Sequence, residues 1–204
     1  MSVFDRLAGQ EDVVAQLQAA AAAARQMVAD TVENTSSPAE SGSSGDGDEV
    51  ARAKMTHAWL FTGPPGSGRS IAARCFAAAL QCESAQGPGC GECEVCRAVM
   101  EDRHPDVTVV RPEGLTISVK EIRGIVARAS TFPATGQWQV VIIEDADRLT
   151  EQAGNALLKA VEEPPSHTVF ILCAPSDDPQ DIMLTLRSRT RHIYVRMPLS
   201  LIHI

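Results

Sequence analysis

The chain has 204 residues, of which 44% are hydrophobic and 22% are charged, values typical of a globular protein with one large domain. This composition excludes collagen-like, coiled-coil and wholly disordered classes. Acidic residues (26) outnumber lysine and arginine (18), giving a net charge of −8 that disfavours direct binding to nucleic acid or anionic lipid.

The predicted elements begin with a helix over residues 11–29, where apolar residues recur at helical spacing in an Ala-rich background. Residues 31–50 form an acidic stretch rich in Ser and Gly. They are predicted to be a disordered insertion because they contain too few apolar residues to offset chain entropy. A strand at 57–62, a Gly-rich loop and a helix at 71–80 follow.

The second half of the chain continues the alternation of strands and helices. Strands are predicted at 107–110, 140–143, 168–173 and 192–195, and helices at 119–130, 150–161 and 178–186. Ser118 and Glu121 form a capping box before the first of these helices. This order predicts an α/β domain with a parallel sheet flanked by helices.

Residues 63–70 have the sequence GPPGSGRS, which fits the phosphate-binding P-loop pattern except that Arg69 replaces lysine. The backbone N–H groups of such a loop surround a phosphate, and the Ser70 hydroxyl can bind Mg²⁺. ATP with Mg²⁺ is therefore the candidate ligand, and a plain Gly/Pro turn is the alternative. Because an arginine fork does not replace an ammonium group freely, nucleotide binding stays open. The candidate residues are Gly63, Pro64, Pro65, Gly66, Ser67, Gly68, Arg69 and Ser70.

Glu144 and Asp145 close the predicted strand at 140–143. At this position a P-loop NTPase places one acid that holds Mg²⁺ and a second that orients water. The usual order is Asp then Glu, and here it is reversed, so these two acids are weak catalytic candidates. A solvated turn after the strand is the alternative.

Four cysteines lie close together at Cys82, Cys90, Cys93 and Cys96, separated by glycines that let the chain wrap tightly. In a reducing compartment this spacing favours a metal site over disulfides, and four thiolates complete a tetrahedral Zn²⁺ shell. The site is predicted to be structural. We expect His104, just beyond it, to stabilise the loop rather than to bind metal.

Arginines also cluster between the predicted helix at 178–186 and the last strand, at Arg187, Arg189 and Arg191. One interpretation is an arginine finger for a nucleotide in another subunit, and the other is a solvated basic turn. No apolar run approaches the ~20 residues of a membrane span, and no signal sequence is visible, so we expect a cytoplasmic protein without membrane contact.

The motifs occur in a specific order: GPPGSGRS, the four cysteines, HPD at 104–106, NALLKAVEEPP at 155–165 and LRSR at 186–189. In this order, and over nearly the whole chain, they resemble the AAA+ subunits of the bacterial DNA polymerase III clamp loader. The resemblance implies an AAA+ P-loop domain over residues 1–196 with a zinc-binding insertion at 82–96. It also implies that residues 197–204 are the tail of a truncated chain, without the family's lid and collar domains.

The resemblance further implies work in a ring of five subunits that uses ATP to load the sliding clamp onto primed DNA. Expected partners are the tau/gamma and delta subunits, the clamp, and DNA through the assembly. Arg189 matches the family's arginine finger, and residues 4–10 are similar to the segment near the adenine pocket.

Arg69 and the order of Glu144 and Asp145 resemble the delta-prime branch of this family, whose members act mainly without hydrolysis of their own. The expected role is therefore a non-hydrolysing subunit that supplies Arg189 in trans. An active ATPase of the tau/gamma type is the alternative. An unrelated P-loop protein whose zinc site binds nucleic acid is a third.

Overall fold

The computed structural model describes residues 1–35, 55–112 and 114–197, with residues 31–35 described by their backbone alone. Its centre is a five-stranded sheet in which every strand pairing is parallel. The strands are β1 (Ala58–Thr62), β2 (Val107–Val110), β3 (Gln139–Ile143), β4 (Thr168–Ala174) and β5 (Arg191–Tyr194). Their order across the sheet is β2-β3-β4-β1-β5.

Helices cover both faces of the sheet. They are α1 (Glu11–Thr35), α2 (Arg69–Gln81), α3 (Glu94–Met100), α4 (Val119–Ala129), α5 (Glu151–Glu162) and α6 (Leu184–Arg187), with 3₁₀ turns at Val3–Arg6 and Ala146–Arg148. Within the described ranges, no helix is both long and apolar enough to cross a membrane.

Strand β1 separates two hydrophobic cores, because successive side chains of a strand point to opposite faces. Trp59 and Phe61 lie in the core formed with α1, α2 and α3, where Trp59 makes an edge contact with Phe76 at a centroid distance of 4.8 Å. Leu60 lies in the core formed with α4, α5 and α6. All five residues of β1 are buried, which explains the continuous apolar run in the sequence.

The predicted α/β architecture is confirmed, and all five predicted strands are present. The capping box at Ser118 and Glu121 forms as expected. Thr150 caps α5 by accepting a hydrogen bond from the N–H of Ala153. These caps begin the two helices where the sequence predicts them because they satisfy backbone donors that the first turn leaves free.

Three predictions about helices were wrong or incomplete. The helix at 178–186 is reduced to α6, because the Ser176 hydroxyl and the Asp178 carboxylate accept backbone N–H groups and hold the segment before α6 in turns. Helix α1 continues past its predicted end to Thr35, since adding residues to a formed helix costs little.

Helix α3 was missed because its residues belong to the cysteine-rich segment. The sulfur of Cys93 caps it by accepting the N–H of Cys96 at 3.3 Å. The remainder of the predicted disordered insertion, residues 36–50, lies outside the described residues. So does the predicted tail from residue 198 onward.

Candidate functional site

The P-loop joins β1 to α2 at the carboxyl edge of the sheet, the edge at which open parallel sheets bind ligands. Gly66 and Gly68 adopt φ angles of +84° and +92°, which side chains other than glycine's rarely adopt. Gly68 is the N-cap of α2, and its carbonyl accepts the N–H of Ala72 at 2.8 Å. The predicted loop is therefore present, with the helix N-terminus behind it.

The inside of the loop holds a buried hydroxyl, that of Ser67. Within the described part of the chain, nothing hydrogen-bonds to the buried Oγ of Ser67. This oxygen lies 2.7 Å from where a Cβ on Gly63 would stand. A phosphate oxygen would supply the missing partner. Arg69 bends back over the loop, and its guanidinium donates a hydrogen bond to the carbonyl of Gly63.

The end of β5 closes the loop on its other side. The N–H of Val195 donates to the carbonyl of Thr62 at 2.7 Å, and the Val195 carbonyl lies against Gly63. Gln10 binds both backbone groups of Arg196, accepting its N–H at 3.2 Å. This contact fixes the segment before α1 beside β5. A cavity of about 220 Å³ remains there, lined by residues of both segments, and it lies where the resemblance places the adenine pocket.

The two acids after β3 have different surroundings. Glu144 is largely buried, and its carboxylate accepts hydrogen bonds from Arg74 Nη2 at 2.6 Å and Arg111 Nε at 3.1 Å. Both arginines also bind Asp102, Arg74 at 2.8 Å and Arg111 at 2.6 Å. We name these four residues the arginine–acid cluster. Each oxygen of Glu144 therefore already has a cationic partner, and Glu144 in this position does not fit the role of a Mg²⁺ ligand.

Opposite charges within the arginine–acid cluster shift the pKa values of Asp102 and Arg111. Burial raises the pKa of Asp102, but the hydrogen bonds and charges of Arg74 and Arg111 outweigh it, so its pKa lies below the usual value. The hydrogen bond to Asp102 in turn raises the pKa of Arg111. Both shifts favour the charged forms of Asp102 and Arg111.

Asp145 adopts a φ angle of +53°, and its side chain is 44% exposed. One of its carboxylate oxygens lies 4.0 Å from Nε of Arg148 in the following turn. Asp145 therefore lies in a partly exposed turn after β3, and its two interpretations, a catalytic acid and a solvated turn, stay predictions.

The four predicted cysteines lie together and could hold a metal ion, with all four sulfur atoms within 4.8 Å of one another. Bound thiolates surround a Zn²⁺ ion at about 2.3 Å, so these separations fit a single ion. The N–H of Cys93 donates to the sulfur of Cys90 at 3.4 Å. This hydrogen bond is the largest cause that lowers the pKa of Cys90 to about 6 and favours its thiolate form, whereas burial raises the pKa of Cys93 and Cys96.

His104 lies outside this group of cysteines, as expected. It is buried, and its Nδ1 accepts the backbone N–H of Asp106 at 3.2 Å. Its burial lowers its pKa, so the neutral form is favoured.

Arg189 follows α6 at the protein surface, with its side chain 41% exposed. Its Nε binds a carboxylate oxygen of Glu162 at the end of α5 at 2.7 Å, and its Nη1 donates to the Thr185 carbonyl at 3.1 Å. Arg187, by contrast, binds Asp177. The two arginines therefore face different neighbours.

Sequence reasoning missed the role of Asp106 and of the arginines in the arginine–acid cluster. Asp106 is buried and accepts the N–H groups of Ala134, Thr135 and Gly136 at 2.6–2.8 Å, holding the loop after α4. The HPD motif marked its position but not this structural role. Arg74 had one signal in the sequence, since it is a charged residue inside an otherwise Ala-rich helix.

The family model described as "DNA polymerase III, delta subunit" matches residues 47–198. The chain belongs to this family. DNA polymerase III subunit gamma/tau of Mycobacterium bovis is 36% identical over 148 residues, covering 71% of this chain and 25% of the relative. DNA polymerase III subunit delta′ of Pseudomonas aeruginosa is 37% identical over 141 residues, covering 68% and 42%.

Among solved structures, a DNA polymerase III gamma subunit-related protein of Thermotoga maritima matches with a TM-score of 0.51 and 26% identity. The match covers 72% of this chain and 43% of that one. The expected fold, an AAA+ P-loop module with a parallel sheet between helices, is confirmed. This chain spans between a quarter and a half of the length of these relatives. Some of the relatives are named delta′ and others gamma or gamma/tau.

Proposed function

We propose that this chain is part of a clamp-loader subunit of DNA polymerase III and helps ATP-driven loading of the sliding clamp onto primed DNA. In this role it acts mainly without hydrolysis of its own and presents Arg189 to the ATP of a neighbouring subunit. Its partners are the tau/gamma and delta subunits, the clamp, and DNA through the assembly. Membership of the family and the names of the relatives support this proposal.

The placement of Arg189 carries the proposed role in trans. Its guanidinium is at the surface, and the Thr185 carbonyl and Glu162 hold it. An ion pair exposed in this way is typically worth about 1 kcal/mol or less, so a phosphate of a neighbouring subunit can replace Glu162 at small cost. The developing charge of phosphoryl transfer is what such a cation stabilises.

The P-loop of the chain supports a non-hydrolysing role. Arg69 replaces the lysine and bonds to the Gly63 carbonyl. The residue in the position of the Mg²⁺-holding acid, Glu144, is paired with two arginines. The loop retains the shape that binds phosphate, while the side chains that assist transfer differ from those of an active site.

We further propose that Zn²⁺ occupies the four-cysteine site and acts structurally. Four thiolates leave no open coordination position for substrate or water. The site also holds the N-terminal segment, because Val3 N–H donates to the carbonyl of Gly89 at 3.0 Å between the cysteines.

Arg189→Ala tests the proposed role in a loader reconstituted from the full-length protein and its partner subunits. Loss of an arginine finger lowers turnover at the site it faces by about 10³-fold or more. The DNA-stimulated ATPase rate of the loader should therefore fall by the fraction of the total turnover that this one site contributes. Arg187→Ala is the matched control, since Arg187 lies two residues away and pairs with Asp177. Unchanged turnover in Arg189→Ala removes the assignment.

An active tau/gamma-type ATPase is the second candidate. It is favoured by the buried Ser67 hydroxyl, which has no hydrogen-bond partner within the described residues and which a phosphate oxygen would satisfy. Phosphate release by the purified chain, compared with Ser70→Ala, separates the two candidates. Phosphate release by the wild type that disappears in Ser70→Ala supports the active ATPase. A wild type that releases no phosphate supports the non-hydrolysing role.

A further inference from the structure

The arginine–acid cluster joins four segments of the chain that meet beside the P-loop. Arg74 lies on α2, Asp102 follows α3, Arg111 follows β2 and Glu144 follows β3. Each arginine binds both acids, so four ion pairs at 2.6–3.1 Å close a ring. The side chains of Arg74 and Glu144 are only 14% and 15% exposed, which limits the screening of their pair by water.

This ring competes with a cation for the same carboxylate. A P-loop protein that uses Mg²⁺ needs an acid at the end of this strand to hold the ion. Here Oε1 of Glu144 faces Arg74 and Oε2 faces Arg111. A divalent ion near Glu144 would meet two guanidinium groups, and its approach would be opposed by like charge.

Both arginines also make contacts with groups other than Glu144. Arg74 also donates to the carbonyl of Ser70 at 3.1 Å, one turn earlier on its helix, and Arg111 binds Asp102. Turning Glu144 toward the loop would therefore require two carboxylate–arginine contacts to break while both arginines stay in place. The acid that follows, Asp145, lies in a turn of positive φ with its side chain exposed.

We infer that Arg74 and Arg111 are positioning residues that hold Glu144 out of the cation position, so the P-loop takes the phosphates of a nucleotide without a divalent ion. This deepens the proposed function, on which it rests for the identity of the loop as a nucleotide site. Arg69 and the backbone N–H groups supply the positive potential that Mg²⁺ provides elsewhere. Removing the two arginines frees Glu144 and creates a cation site.

The experiment compares the full chain with Arg111→Met, with Arg74→Met/Arg111→Met, and with the latter combined with Glu144→Gln. The probes are Mn²⁺, followed by its electron paramagnetic resonance signal, and fluorescent ADP, titrated with Mg²⁺ and with EDTA. In the wild type, ADP affinity should change by less than about twofold between the two conditions. In the double variant it should become at least about tenfold tighter with Mg²⁺, together with a new Mn²⁺ site that Glu144→Gln removes.

Three outcomes overturn the inference. The first is a Mn²⁺ site in the wild type that Glu144→Gln abolishes. The second is an ADP affinity in the wild type that depends on Mg²⁺ by tenfold or more. The third is a folded arginine variant that gains no Mn²⁺ site. Arg111 is half exposed, so Arg111→Met serves if the double variant does not fold.

A double-mutant cycle between Arg111→Met and Glu144→Gln supplies a readout that needs no ligand. A coupling of at least about threefold in the unfolding equilibrium constant is expected if the two side chains are paired in solution, and additive effects contradict the ring. The Arg189 experiment is independent of these measurements. A loader insensitive to Arg189→Ala therefore removes the proposed role of Arg189 in trans, whereas a Mn²⁺ site in the wild type removes only this inference.

Discussion

Asp106 offers a sharp test of how the loop after α4 is held. Its side chain is buried, and the carboxylate accepts three backbone N–H groups together with the Thr135 hydroxyl and the amide of Gln139. Asp106→Ala removes all five acceptor contacts at once. It therefore leaves several donors in the loop after α4 without their partner.

The loss of stability depends on whether these donors can form hydrogen bonds with water in the variant. A hydrogen bond to a charged group is worth about 1.5–3 kcal/mol, so a simple sum for the three N–H groups is roughly 4.5–9 kcal/mol. Ala134 and Thr135 are exposed, however, and their N–H groups can turn to water once the carboxylate is gone. We expect a net loss of about 3 kcal/mol, which lowers the melting temperature by roughly 6–12 °C in a protein of this size.

The loss of folding stability in Asp106→Ala should depend on pH. Burial raises the pKa of Asp106, but the N–H groups of Ala134, Thr135 and Gly136 outweigh it, and the pKa lies below its usual value. A carboxyl with a lowered folded-state pKa contributes stability above its unfolded pKa of about 3.9, and this contribution is lost as the pH falls through the folded value. The difference between wild type and Asp106→Ala should be constant above about pH 5 and shrink in stronger acid.

Urea unfolding of both proteins at several pH values provides the measurement, with Asp5→Ala, at an exposed aspartate, as the control. If the free energies of unfolding of wild type and Asp106→Ala differ by less than about 1 kcal/mol at pH 7, the hydrogen bonds to Asp106 do not stabilise the loop as expected. A difference that stays the same from pH 7 to pH 3 would refute the role of the charge.

Two further predictions concern the cysteine site and the P-loop. Cys93→Ser should lose bound zinc and unfold at lower temperature, because metal binding and folding are coupled, and Cys75→Ser is its control at a buried cysteine outside the site. Metal analysis with thermal unfolding checks this, and an unchanged zinc content excludes the site. Gly63→Ala should destabilise the protein by about 2 kcal/mol or more, since its Cβ would collide with the Val195 carbonyl. Gly124→Ala on α4 has no positive φ and meets no atom within 4 Å, so it should cost less in urea unfolding, and an equal loss in both variants contradicts the collision.

Local signals in the sequence predicted much of the fold and part of the site. The capping box at Ser118, the apolar run of β1 and the spacing of the cysteines each act over a few residues, and each appears as expected. The helix predicted at 178–186 failed for an equally local reason, because the side chains of Ser176 and Asp178 take the backbone donors. That competition is visible in the residue types, but helical spacing alone does not reveal it.

The arginine–acid cluster could not be predicted in this way. Arg74 and Glu144 are 70 positions apart in the sequence, and only the packing of α2 against the sheet brings them together. The sequence showed only that Glu144 and Asp145 stand in the reverse of the usual order. It could not show that two arginines are bound to the Glu144 carboxylate.

The order of the strands has a consequence for how this protein emerges during synthesis. Strand β1 leaves the ribosome first, yet its two neighbours in the sheet are β4 and β5, the last strands to be made. Strands β2, β3 and β4, by contrast, pair with one another in the order of their synthesis. The P-loop is thus encoded early and completed late, when Val195 reaches Thr62. Until then the apolar residues of β1 lack both neighbouring strands, and an unpaired apolar strand of this kind is prone to aggregation while the chain is being made.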